Sequence, residues 1–144
     1  MAEQDTIKLL RECDAGIKMG ISSMEEVLEY VHDAKLYRCL SECMKKHEKL
    51  QEEIRKILQK YQDEGKEPGA VAKGMSWVKT NIRLVMNESD KTIADLITDG
   101  CNMGVKSLER YLNQYPAAEA NVKEIAKNLI HLEEKLAKDM RAYL

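Results

Sequence analysis

The stretch GIKMGISSMEEVL, Gly16 to Leu28, returns as GCNMGVKSLERYL, Gly100 to Leu112, each matching residue 84 positions later. Gly16, Met19, Gly20, Ser23, Glu25 and Leu28 recur as Gly100, Met103, Gly104, Ser107, Glu109 and Leu112. The substitutions between the copies are mild, with Ile21 becoming Val105 and Met24 becoming Leu108. A duplicated helical hairpin is the simplest cause of such self-similarity. Glycine inside a helix costs about 1 kcal/mol against alanine. Two glycines four apart on one helix therefore suggest a face of close backbone approach, a packing element inherited twice.

The periodicity on either side supports helices throughout. Ile7, Leu10, Ile17, Ile21, Met24, Leu28 and Val31 follow steps of three and four, the spacing of one helix face. Asp14 falls where that series calls for an apolar residue. Around His32 the phase changes, and Asp33 is placed to cap a second helix. Its seam is Leu36, Leu40, Cys43, His47, Leu50, Ile54, Ile57 and Tyr61, with His47 as its polar member. Pro68, between Gly65 and Gly69, marks a loop.

Val71, Met75, Val78, Ile82 and Val85 then predict a shorter amphipathic helix with Trp77 beside it. Ser89 or Asp90 caps the helix that carries the second copy of the glycine stretch, and Pro116 suits the first turn of the last one. That last helix presents Val122, Ile125, Leu129, Leu132, Leu136 and Tyr143. The expected fold is all-α, a four-helix bundle of two antiparallel hairpins in one domain. Residues 5–63 form the first hairpin, 64–88 a long crossover with a short fifth helix, and 89–144 the second hairpin.

Composition narrows the function classes. The 23 Lys and Arg nearly balance the 25 Asp and Glu, so there is no basic excess of the kind nucleic acid or anionic membranes attract. No apolar run approaches the roughly 20 residues of a membrane span, and the first ten residues lack the pattern of a signal peptide. The chain reads as cytoplasmic. Its four cysteines, Cys13, Cys39, Cys43 and Cys101, have no zinc-ribbon spacing and read as reduced thiols.

One long crossover between two hairpins is the arrangement of the ferritin-like bundles. The run Gly74, Met75, Ser76, Trp77, Val78, Lys79, followed by Gly100, Tyr111 and Leu112, resembles a family of uncharacterised bacterial ferritin-like proteins. The resemblance implies the ferritin-like fold and an iron-binding ancestry. Metal-binding members of that superfamily take a Glu-x-x-His pair from each of two helices. Here the corresponding pairs are Met44 with His47 and Asn128 with His131, so both glutamates are missing.

His131 also lies one position off the apolar face and is expected on the surface. Asp14 and His47 remain, since both interrupt a seam and fall within a turn of one level of an antiparallel hairpin. They are expected to meet as a buried hydrogen-bonded pair or as part of a residual site. Cys39, Cys43 and His47 share one helical stripe, which by softness would suit copper(I) or zinc, although two packed thiols near the hairpin are the better explanation of the spacing. The expected function is non-catalytic, exercised through self-association or protein binding, with no cofactor. The competing reading is a degenerate metal or redox site at Asp14, Cys43 and His47, holding iron, zinc or copper.

Overall fold

The computed structural model describes residues 2–67 and 89–144. Four long helices fill them: α1 (Ala2–Leu28), α2 (Ala34–Lys60), α3 (Asp90–Gln114) and α4 (Ala120–Met140), with a short 3₁₀ turn at Arg141–Tyr143. There is no strand among the described residues. The helix expected around Trp77 lies outside them.

The caps of α2 and α3 are ones the sequence offers, whereas Pro116 lies in the turn before α4 and not in its first turn, since α4 starts at Ala120. Asp33 is extended, and its carboxylate accepts the Leu36 N–H at 2.9 Å. The Ser89 hydroxyl accepts the Thr92 N–H at 3.2 Å, satisfying a first-turn donor that has no partner inside its helix. At the end of α2 the chain closes with Gln62 N–H donating to the Gln59 carbonyl and Asp63 N–H to the Leu58 carbonyl. This Schellman motif puts Gln62 at φ 54°, a left-handed position that usually falls to glycine. The first helix starts at Ala2, ahead of the expected hairpin start at residue 5, because nothing in Ala2–Asp5 breaks it, and Glu3 and Asp5 complement the positive end of its dipole.

Polar contacts at the helix ends set the directions. The Arg11 guanidinium, early in α1, forks onto the Asp63 carboxylate just past α2, with Nε 3.0 Å from Oδ2. The Asp90 carboxylate at the start of α3 accepts the His32 and Asp33 N–H groups at 2.8 and 2.9 Å. Glu119 N–H, before α4, donates to the Thr6 hydroxyl at 2.9 Å. Helices α1 and α4 therefore run one way and α2 and α3 the other, so α2 ends at one end of the bundle and α3 begins at the opposite end.

Two apolar clusters fill the interior. One holds Leu9, Leu10, Ile17, Leu50, Ile54 and Leu129. The other holds Met24, Val27, Leu36, Leu40, Ile93 and Met140. His47, fully buried, falls between them in sequence and in the bundle.

The buried positions of α2 and α4 follow one rhythm. Leu36, Leu40, Cys43, His47, Leu50 and Ile54 match Val122, Ala126, Leu129, Glu133, Leu136 and Met140, the separation that also joins His47 to Glu133, 86 residues. The cap positions Asp33 and Glu119 keep the same separation. Since the glycine stretches of α1 and α3 stand 84 apart, the second hairpin carries two extra residues, accommodated where α3 runs on to Gln114. Leu132, expected in the seam, and Glu133 are both partly buried, and it is Glu133 that reaches the fully buried His47.

Candidate functional site

Helix α2 drives His47 to the centre of the bundle, because its place in the 36–40–43–47–50–54 rhythm leaves no other direction for the side chain. The ring is 0 % exposed. Its Nε2 lies 2.9 Å from Glu133 Oε1, and its Nδ1 lies 2.9 Å from the Cys43 carbonyl oxygen and 3.6 Å from the Cys43 thiol. Both ring nitrogens thus face acceptors, an arrangement that imidazolium satisfies with two donors.

Burial by itself would hold the His47 pKa down. The hydrogen bonds to Cys43 and Glu133 outweigh it and push the value up to about 10. A proton shared between ring and carboxylate keeps the pair neutral overall, the condition for burying two ionisable groups.

The thiols around this pair are quiet. Burial, reinforced by Glu133, pushes the Cys101 thiol up. Burial, reinforced by Glu12 and Asp14, pushes Cys13 up to about 12. Cys39 is raised by burial and by Asp139, to which its thiol donates at 3.7 Å. These three shifts are opposite in direction to those of nucleophilic cysteines. All four cysteines are free.

Asp14 is buried as expected, at 5 % exposure, but it serves a different partner. Its Oδ2 accepts the Lys66 backbone N–H at 3.0 Å and meets Lys18 Nζ at 2.9 Å. It ties the segment after α2 to α1. Gly65 stands against it at φ 84°, where an added Cβ would fall 2.2 Å from Asp14 Oδ2. The residue of α1 level with His47 is Gly20, whose added Cβ would lie 3.2 Å from the ring. Asp14 sits six residues earlier, about 9 Å along the axis.

The expected Asp14–His47 meeting is therefore replaced by His47–Glu133 and Asp14–Lys66. Of the residues singled out as a metal set, Cys43 and His47 are neighbours and Asp14 is elsewhere. Among the described residues no group of three or more His, Cys, Asp or Glu side chains is placed to hold a metal ion. His131 is exposed beside Glu134.

The recurring glycine stretches meet at one place. A cavity of about 430 Å³ opens between α1 and α3. Gly16, Met19, Gly20 and Ser23 line one wall, and Gly100, Met103, Gly104 and Ser107 line the other. Leu129, Glu133 and Leu136 of α4 form its floor.

Close helix contact does not explain these glycines. Among the described residues, an added Cβ at Gly100 would meet nothing within 4 Å, at Gly16 only Leu129 at 4.0 Å, and at Gly104 the Glu133 carboxylate at 3.5 Å. Three of the four positions have room for alanine. What the missing side chains provide is open space over the His47–Glu133 pair.

Glu133 is the functional candidate that sequence reading missed. Its signal was the series Val122, Ala126, Leu129, Glu133, Leu136, Met140, which alternates steps of four and three with one charged member. A scan of family models matches nothing in this chain, and searches of curated proteins and of solved structures find no match either. Among the described residues, no helix is long and apolar enough to cross a membrane.

Proposed function

We propose that this chain is a non-catalytic binding protein, a ferritin-like bundle of duplicated hairpins that holds an apolar small molecule in the groove between α1 and α3. The parallel course of α2 and α3 supports the ferritin-like topology. The shared burial rhythm of α2 and α4 supports the duplication.

One observation carries the binding reading. Two helices each keep a pair of interior glycines, at about 1 kcal/mol apiece, and both pairs face the same cavity of about 430 Å³. That volume is in the range of small-molecule sites, which are mainly apolar with a few convergent polar groups. A non-catalytic role fits because the buried titratable groups are paired with one another and three of the thiols are raised.

The test is titration of the uncharged dye Nile red into the wild-type chain and into Gly100→Leu, whose side chain would enter the groove. Saturable binding to the wild type, weakened at least tenfold in the variant at unchanged circular dichroism, is the expected result. Absence of saturable binding, or equal binding by both proteins, would overturn the reading.

A further inference from the structure

The groove's floor tells what its ligand carries. Glu133 is the only carboxylate in the middle of the floor, between Leu129 and Leu136 on the same helix. Its side chain keeps 13 % of its surface open. Oε1 is committed to His47 at 2.9 Å. Oε2 lies toward Gly104, 3.5 Å from where a Cβ of that residue would stand. A carboxylate offers about four lone-pair sites. His47 occupies part of that capacity, and an acceptor site remains on the side of the missing Gly104 side chain.

Charge balance then selects among donors. On the floor the Glu133 charge is already balanced by His47; toward one end Glu12 pairs with Lys66 at 2.6 Å, and Glu67 shares Lys18 with Asp14, each at 2.9 Å. An ammonium placed beside Glu133 would bring an uncompensated charge to an apolar wall. A carboxylate ligand would meet Glu133 as a like charge and offers it no donor. An uncharged hydroxyl donates one hydrogen bond and leaves every pair intact.

We infer that the groove receives an apolar, uncharged molecule bearing a hydroxyl, which donates to the Oε2 side of Glu133 while its hydrocarbon lies along Met24, Leu96 and Leu136. The inference rests on the groove being a binding site, and its experiment separates the two claims.

Nile red is displaced from the full chain by 1-decanol, by the methyl ether of 1-decanol, by decylamine and by decanoate. The alcohol is expected to compete at least fivefold better than the ether, which accepts but cannot donate, and better than either charged compound. In the double variant His47→Leu with Glu133→Leu, which removes the acceptor without stranding a partner and is checked for folding by circular dichroism, the alcohol's advantage over the ether should shrink to within twofold.

Equal competition by alcohol and ether in the wild type overturns the hydroxyl inference and leaves the groove reading standing. Stronger competition by the amine or the acid does the same, whatever the variant's stability. A full chain that excludes the dye overturns both.

Discussion

Replacing Glu133 by leucine strands His47. The ring is fully buried, and Glu133 Oε1 is the acceptor 2.9 Å from its Nε2. Without it the imidazole must lose its charge, and Nε2 is left without a partner in an apolar surrounding. Removing one member of a buried pair typically costs about 3–5 kcal/mol. For a chain of this size each kcal/mol moves the melting temperature by roughly 2–4 °C, so Glu133→Leu should melt about 6–20 °C below wild type. The double change His47→Leu with Glu133→Leu removes both polar groups and should recover most of that loss, because apolar replacement of a whole buried pair is often neutral or better.

Alkaline pH supplies the second half of the test. The His47 pKa rises from 6.5 to about 10 on folding. Between those values the folded chain binds more protons than the unfolded one, so stability falls as pH rises. The pair's contribution is complete below pH 6.5 and is lost as pH passes through 10. Urea unfolding of the wild type and the double variant at pH 6, 8 and 10 isolates this contribution from other titrating groups. The wild type should lose more than the double variant over that span. Additive losses in the two single variants, or parallel pH curves for wild type and double variant, would refute the pairing argument.

Three further outcomes follow from local geometry. Gly65→Ala should destabilise by more than about 2 kcal/mol, since φ is 84° and the new Cβ would press on Asp14 Oδ2, whereas Gln62→Gly should stabilise by about 1 kcal/mol by relieving its left-handed backbone; urea midpoints check both. Gly100→Ala should raise stability by about 0.5–1 kcal/mol, because the helix gains a better former and the Cβ meets nothing within 4 Å among the described residues; a lower melting temperature would contradict the open groove. Hydrogen bonding from Arg11 holds the Asp63 carboxyl below its usual 3.8, so the stability gap between wild type and Arg11→Ala should be present at pH 7 and close as pH falls below that value. An unchanged gap at pH 2.5, measured by urea unfolding, would exclude the Arg11–Asp63 contact as its source.

Much of the helical order is local and was legible for that reason. Asp33 and Ser89 cap helices from positions three residues before the donors they satisfy, and such geometry needs no distant partner. His47 stood out because one polar side chain broke an otherwise apolar rhythm, and a helix fixes side-chain direction from its own turn. Glu133 carried the same mark. It was passed over because Leu132, one position earlier, gives an equally acceptable apolar step, and choosing between them requires knowing which face α4 turns to α2. His131, 84 residues after His47, lies on the surface, and the inward position that faces His47 is Glu133, 86 residues after it.

By itself, the sequence determined that the described residues make four amphipathic helices, that a glycine-rich stretch recurs, and that His47 and Asp14 turn inward. Those properties depend on spacing within single helices. The tertiary structure alone decided that His47 pairs with Glu133, that Asp14 instead fastens the segment after α2, and that the repeated glycines frame a cavity instead of a contact. The physical reason is that glycines four apart describe only the surface one helix presents. Whether that surface meets another helix or leaves room between them depends on the separation of α1 and α3, which side chains elsewhere in the bundle set.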